Sequence, residues 1–187
     1  MTDSQKVTKF RFKIIVIGDG TVGKTSLIKK FTKGTFKKEY IKTLGAQFSK
    51  FEAEISGDPI KLVFWDIAGQ DVFSFLHPTF YRESRAAIIV YSLEENNVGT
   101  RSFEHITDWH EDIKKYCGDI PIVTFANKVD LIEENNLDKM NIQEVVKERD
   151  FLGYFLTSAK TGQGVHEAFN VIIEKLYDMH KVLSSEL

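Results

Sequence analysis

Apolar residues in this 187-residue chain follow two patterns that alternate along the sequence. In one they form short continuous runs, and in the other they recur every three or four positions, which places them in a stripe along one face of a helix. The first run, Phe10–Ile17, is rich in aromatic and β-branched residues and ends at a glycine, which predicts a buried strand. Shortly afterwards, Leu27, Ile28 and Phe31 fall on one face of a helix that is predicted to begin near Lys24. The chain is therefore predicted to open with a strand, a glycine-rich loop and a helix.

The next segment interrupts this pattern. Residues 33–44 are polar and lack periodicity, which predicts a loop. Phe51, Ala53 and Ile55 then alternate as in a strand with one buried face, and a second strand over residues 60–65 follows after a four-residue turn. Because so short a connection joins antiparallel neighbours, we predict one antiparallel pair here.

Later apolar runs predict strands at Ala86–Ser92, 120–126 and Tyr154–Thr157, with helices between and after them. Two helical stripes are interpreted as core faces: Phe103, Ile106, Trp109, Ile113 and Tyr116, and then Val165, Ala168, Phe169, Ile172, Ile173 and Leu176. The predicted fold class is α/β, a mainly parallel six-stranded sheet with one antiparallel strand and helices on both faces. A ligand is expected at the carboxyl ends of the strands.

Composition narrows the class of protein. Hydrophobic residues make up 42% of the chain and charged residues 28%, as in ordinary globular proteins. The net charge of −2 gives no reason to expect nucleic acid as a partner. One basic cluster is interpreted as a solvated face: Lys29, Lys30, Lys33, Lys37, Lys38 and Lys42. We expect one domain over residues 10–183, preceded by a polar segment, 1–9, and followed by a short end, 184–187.

The expected compartment is the cytoplasm. The single cysteine, Cys117, cannot form an intramolecular disulfide and fits reducing conditions. The first nine residues contain no apolar segment typical of a secretory leader. No cysteine near Leu187 could carry a prenyl group, so we expect no direct membrane anchor in this chain. Peripheral association is expected only with a lipidated tail.

Residues 18–25 carry the strongest chemical signal, Gly-Asp-Gly-Thr-Val-Gly-Lys-Thr, which fits G-x-x-x-x-G-K-[ST]. The glycines let backbone N–H groups turn inward around an anion, and the following helix N-terminus adds partial positive charge. Lys24 would reach the β- and γ-phosphates, and the Thr25 hydroxyl would bind Mg²⁺. An ordinary glycine turn is the alternative, but the predicted strand and helix on either side favour a phosphate loop.

Further polar motifs end later strands. Residues 65–70, Trp-Asp-Ile-Ala-Gly-Gln, place Asp66 at the end of a strand, where a carboxylate could contact Mg²⁺ through a water molecule. Asn127-Lys128-Val129-Asp130 follows another strand, and the Asp130 carboxylate could accept from N1–H and the amine of guanine, a pair that adenine lacks. Ser158-Ala159-Lys160 could hold the base from its other side.

With these motifs the chain resembles small GTPases of the Ras superfamily, and the Rab-like branch in particular. The resemblance covers the chain from about Phe10 to His180. It rests on five features in the family's order: the loop at 18–25, Thr43, Trp-Asp-Ile-Ala-Gly-Gln at 65–70, Asn-Lys-Val-Asp at 127–130, and Ser-Ala-Lys at 158–160.

The resemblance implies roles for individual residues. Catalytic roles are implied for Lys24, Thr43, Gly69 and Gln70, with Gly69 N–H on the γ-phosphate and Gln70 orienting water. Thr25, Thr43 and, through water, Asp66 would hold Mg²⁺. The implied nucleotide-binding set is Gly18, Asp19, Gly20, Thr21, Val22, Gly23, Lys24, Thr25, Ser26, Phe36, Tyr40, Thr43, Gly69, Asn127, Lys128, Asp130, Leu131, Ser158, Ala159 and Lys160.

The implied activity is that of a monomeric molecular switch. It would bind GTP with Mg²⁺, hydrolyse it slowly to GDP and phosphate, and change switch I (about 33–44) and switch II (about 68–82) to recruit effectors, in vesicle trafficking or related signalling. The implied protein partners are an exchange factor, a GTPase-activating protein and effectors. Phe48, Trp65 and Phe80 match an aromatic triad that Rab proteins present to effectors, although a plain core role is the alternative.

Several positions depart from the family pattern. Leu44 replaces an isoleucine and Ile67 a threonine, while residues 71–76 differ throughout, so the identity of partners does not carry over. This sequence does not continue into the prenylated tail of Rab proteins, so either the protein is naturally tailless or its natural C-terminus lies beyond Leu187. Two alternative functions are a P-loop kinase or ATPase, which would not need the motifs at 127–130 and 158–160, and a non-catalytic module that stays loaded with GTP. The presence of both Thr43 and Gln70 disfavours the latter.

Overall fold

A computed structural model describes residues 10–36, 45–69, 75–133 and 142–185. The strands are β1 (Phe10–Ile17), β2 (Ala46–Ile55), β3 (Asp58–Ile67), β4 (Ala86–Ser92), β5 (Ile122–Asn127) and β6 (Tyr154–Thr157). The helices are α1 (Lys24–Lys33), α2 (His77–Tyr81), α3 (Asn97–Glu104), α4 (Ile106–Cys117), α5 (Ile142–Glu148) and α6 (Val165–Ser185). A short 3₁₀ turn, Val129–Leu131, follows β5.

The strands form one six-stranded sheet in the order β2-β3-β1-β4-β5-β6. Every neighbouring pair is parallel except β2 and β3, which are antiparallel and are joined by a tight turn at Ser56 and Gly57. The predicted mainly parallel sheet with one antiparallel strand is therefore confirmed. Because the parallel strands all end at one edge, the polar motifs that follow β1, β3, β5 and β6 are brought to the same side of the molecule.

Helices cover both faces of the sheet, as predicted. On one face α1 and α6 enclose a core in which Phe31, Phe64 and Phe169 are in mutual ring contact, at centroid separations of 4.4–5.8 Å. On the other face α4 and α5 pack over β1, β4 and β5. Central strands buried on both sides need apolar residues at consecutive positions, which explains the continuous apolar run of β4.

The structure refines several predicted boundaries. The strand predicted over 60–65 extends from Asp58 to Ile67, so the turn before it has two residues and not four. The stripe that predicted a single helix from Phe103 to Tyr116 belongs to two helices that meet at His105, whose backbone stays right-handed (φ −74°, ψ −3°). The strand predicted over 120–126 begins at Ile122, since Pro121 precedes it and has no N–H to donate. Within the described residues, no helix is both long and apolar enough to cross a bilayer.

Candidate functional site

The loop between β1 and α1 is closely packed against the end of β5. Gly23 caps α1 with φ +103°, and a Cβ at this position would lie 2.2 Å from the Asn127 side-chain nitrogen. That nitrogen donates to the Val22 carbonyl at 2.8 Å. A glycine is therefore required both by the backbone conformation and by the close approach of β5. The loop is held in a fixed shape by a residue more than one hundred positions away.

Lys24 is the buried cation of this loop. Its Nζ donates to the carbonyls of Gly18, at 2.7 Å, and Asp19, at 2.6 Å. Burial lowers the pKa of Lys24 to about 8, while the charges of Asp66 and Asp19 act in the opposite direction. A buried ammonium with a depressed pKa gains most from an anion placed beside it, so this lysine is suited to holding phosphate.

A hydroxyl and a carboxylate meet next to Lys24. The Thr25 hydroxyl, in the first turn of α1, donates to the Asp66 carboxylate at the end of β3. Asp66 is almost completely buried. Hydroxyl and carboxylate oxygens are the ligands that Mg²⁺ prefers, so the residues present fit this ion.

The chain leaving β3 passes directly over the loop. A Cβ on Gly69 would lie 1.9 Å from the Gly18 carbonyl oxygen and 2.5 Å from the Asp19 carbonyl carbon. These are backbone atoms, which cannot move aside as a flexible side chain can. The Gly69 backbone can therefore approach the phosphate loop only because this residue has no side chain.

The motifs after β5 and β6 form a second, connected part of the site. The Ser158 hydroxyl donates to Asp130 Oδ1 at 2.6 Å, and Lys160 Nζ lies 3.3 Å from Asp130 Oδ2. Although burial of Asp130 works in the opposite direction, these two contacts hold the pKa of its carboxyl below the usual range. The Ala159 N–H donates to Asn127 Oδ1 at 3.2 Å, so Asn127 joins the base-side motifs to the phosphate loop.

Two contacts of this part were not predicted from the sequence. The Lys128 ammonium pairs with the Glu94 carboxylate, which also accepts from the Ser92 hydroxyl at 3.0 Å. Lys128 adopts the left-handed conformation, φ +70°, which is uncommon for a residue with a side chain. Ser92 is the last residue of β4. Glu94 lies in a polar loop, and no pattern in the sequence connects it to Lys128.

A third unpredicted contact involves the phosphate loop itself. His105 Nδ1 lies 2.8 Å from Asp19 Oδ2, and the Trp109 indole donates to Asp19 Oδ1 at 2.9 Å. Trp109 had been interpreted as part of a core stripe. Asp19 was the feature of the sequence that could have indicated this contact, because a carboxylate within an anion-binding loop needs hydrogen-bond donors to compensate its charge. Trp109 was a candidate donor, since an indole N–H on a core face needs an acceptor.

The structure brings most of the predicted site residues together, with differing exposure. Gly18, Val22, Lys24, Asn127, Ser158 and Ala159 are buried, whereas Thr21, Phe36, Leu131 and Lys160 are exposed. Gly20, Ser26 and Gly69 are partly buried beside them. Tyr40, Thr43 and Gln70 lie outside the described residues, as does Leu44, so their predicted roles remain predictions.

The three predicted effector residues lie side by side, with Phe48 on β2, Trp65 on β3 and Phe80 on α2. Ring centroids are 5.7 Å apart for Phe48 and Trp65, and 6.0 Å apart for Trp65 and Phe80. Phe48 is 66% exposed, so the alternative of a plain core role does not hold for that residue. Lys13 Nζ lies 4.0 Å from the centroid of the Trp65 ring.

Comparison with known proteins gives a consistent result. The sequence profile of the Ras family matches residues 13–178. Ras-related protein Rab-21 of Bos taurus is 33% identical over 176 residues, covering 92% of this chain and 76% of that protein. Ras-related protein Rab-1 of Theileria parva is 36% identical over 171 residues, covering 90% and 76%. Ras-related protein Rab-32B of Dictyostelium discoideum is 32% identical over 185 residues, covering 96% and 69%.

Proposed function

Because this chain belongs to the Ras family of small GTPases, with its similarity to Rab proteins, we propose that it is a guanine-nucleotide switch whose site is the described edge of the sheet. It binds GTP and GDP with Mg²⁺ and hydrolyses GTP, as members of this family do. We further propose that switch I (about 33–44) and switch II (about 68–82) change conformation between the two nucleotide states and recruit effectors in vesicle trafficking.

The proposed mechanism divides the work among residues of the two loops. Lys24 holds the β- and γ-phosphates with its ammonium group, and the Gly69 N–H donates to the γ-phosphate. Thr25 and Thr43 would hold Mg²⁺ directly, and Asp66 would contact it through water. When bound, the ion neutralises negative charge that develops on the transferring phosphoryl group. Gln70 orients the attacking water.

The fixed position of the Asp130 carboxylate is the single observation that supports guanine over adenine as the base. This carboxylate is kept ionised and oriented by Ser158 and Lys160, and Asn127 braces the same region against the phosphate loop. A fixed acceptor of this kind matches two adjacent donors on a base, which guanine offers and adenine does not. The alternative of a P-loop kinase or ATPase would not require a fixed Asp130 carboxylate beside the base.

The proposed partners rest on membership of the Ras family. An exchange factor, a GTPase-activating protein and effectors are expected to act on the two switches, and the effector surface is proposed to include Phe48, Trp65 and Phe80. The chain is proposed to act as a cytoplasmic monomer. Peripheral membrane association would require a lipidated tail. The basic cluster on and after α1 is proposed to be a solvated face.

The function is tested on the purified chain. Nucleotide extracted with acid is expected to elute as GDP or GTP, and phosphate release in single turnover is expected at about 10⁻⁴ to 10⁻³ s⁻¹, the intrinsic range of Ras. So slow a rate is expected because the 33–44 segment carries no arginine to stabilise the transition state. ATP binding as tightly as GTP, or a chain that releases no phosphate, would contradict the proposal.

Glu94→Gln is expected to make GDP dissociate about fivefold faster, since Lys128 loses its ion-pair partner and is held less firmly beside the base. The measurement is displacement of a fluorescent GDP by excess unlabelled GDP. Glu52→Gln is the matched control, because it breaks an exposed ion pair with Lys61 on β2 and β3, far from the strand ends. An unchanged rate in Glu94→Gln would show that Lys128 is positioned without this carboxylate.

A further inference from the structure

The carboxylate of Asp19 is unusual because it projects from a loop whose proposed ligand is a polyphosphate. Its side chain is 20% exposed, and its two oxygens contact two different donors on the α3–α4 segment. Left without these donors, a negative charge at this position would oppose the binding of phosphates a few ångströms away. The contacts hold the carboxylate on the side of the loop that faces α4.

The main chain of the same residue lies where three parts of the site meet. The Asp19 carbonyl accepts from Lys24 Nζ, and the Gly69 backbone lies against the Asp19 carbonyl group. Any shift of Asp19 would therefore move the lysine and the start of switch II together. Fixing its side chain to a helix is an effective way to hold this junction still.

We propose that His105 and Trp109 are positioning residues for the nucleotide site, which act by holding the Asp19 carboxylate away from the phosphates and the Gly18–Asp19 backbone in place. This inference rests on the proposed function. His105 is at the junction of α3 and α4 and its side chain is 37% exposed, while Trp109 packs on the His77 ring at a centroid distance of 5.7 Å. The link therefore joins the phosphate loop to the helix that also packs on α2.

The proposal predicts a coupling that packing alone would not produce. Trp109→Phe keeps a ring but removes the indole N–H, and GDP is expected to dissociate about tenfold faster. In an Asp19→Ala background the same substitution should change the rate of GDP dissociation by less than about twofold. The carboxylate that Trp109→Phe would release is absent from that background. His105→Ala should show the same dependence on Asp19 and serves if Trp109→Phe fails to fold.

The rate of GDP dissociation decides the outcome. GDP dissociation is followed for the wild type, each single variant and each double variant, with Asp108→Asn as an exposed control on α4. An effect of Trp109→Phe and of His105→Ala that persists undiminished in the Asp19→Ala background would overturn the proposal, as would single variants that match the wild type. A wild type that binds no guanine nucleotide would instead refute the proposed function, and this inference with it.

The link itself is observed through the indole protons. The chain has two tryptophans, so a ¹⁵N–¹H spectrum shows two indole signals, and Trp65→Phe identifies the one from Trp109. Asp19→Ala is expected to shift the Trp109 signal and leave the Trp65 signal in place. A Trp109 signal that does not respond to Asp19→Ala would contradict the hydrogen bond on which the proposal stands.

Discussion

Asp130→Asn is expected to shift the preference between guanine and xanthine nucleotides on the order of 10⁴-fold towards xanthine. In the proposed complex the carboxylate accepts from two donors of guanine, whereas an amide would place its own NH₂ against one of them. Xanthine has a carbonyl where guanine has the amine, so it accepts from that NH₂. Competition between GDP and xanthosine diphosphate for the purified protein measures the ratio of the two affinities.

The control for this substitution is Asp119→Asn, which makes the same chemical change at a carboxylate that is 88% exposed and pairs with Lys114 on the surface. It should leave both affinities unchanged. A variant of Asp130 that still prefers guanine by the wild-type margin would remove this residue from base recognition. The neighbouring contacts with Ser158 and Lys160 would then have only a structural role.

Gly69→Ala is expected to slow single-turnover GTP hydrolysis by about 10²-fold, the size of effect seen when one preorganised donor is lost. The added Cβ would lie 1.9 Å from a backbone oxygen, so the start of switch II must move away from the phosphate loop. The N–H proposed to donate to the γ-phosphate moves with it. Affinity for GDP, which has no γ-phosphate, should change much less.

Comparing the loss of hydrolysis rate with the loss of GDP affinity separates the loss of the Gly69 N–H contact from disruption of the whole nucleotide site. Gly57→Ala is the matched control, because that glycine lies in the β2–β3 turn with no atom within 4 Å of an added Cβ. Its positive φ should cost about 1 kcal/mol of stability and leave hydrolysis unchanged. Equal losses of hydrolysis and GDP binding in Gly69→Ala would indicate that the loop as a whole had collapsed.

The sheet could be predicted from the sequence because its strands are apolar at consecutive positions and its turns are short. The antiparallel pair followed from the length of one connection, and the parallel order from the helices between the other strands. The break at His105 could not be predicted in this way. Its backbone keeps helical dihedrals, and the apolar stripe continues through it without a glycine or a proline.

For the site, predictability depended on whether a residue belongs to a contiguous motif. Lys24 and Asp130 follow strands and Asp66 lies at the end of one, each within a short recognisable pattern, and the strand topology brings them together. Glu94 and His105 act through partners 34 and 86 positions away, in contacts that depend on how helices and loops pack. Periodicity and spacing contain no information about such pairs, so only the folded chain shows them.

The arrangement of Asn127 and Asp130 has a consequence for the growing chain on the ribosome. The phosphate loop can gain its contact with Asn127 once β5 has emerged, but the groups that hold Asp130 and Asn127 come from Ser158, Ala159 and Lys160. A nascent chain that stops before β6 can therefore bind phosphates in its loop, but its Asp130 carboxylate is not yet held in position to recognise the base. Selective capture of guanine nucleotide must be among the last steps of synthesis, and the nucleotide then stabilises the join between the early and late halves of the protein.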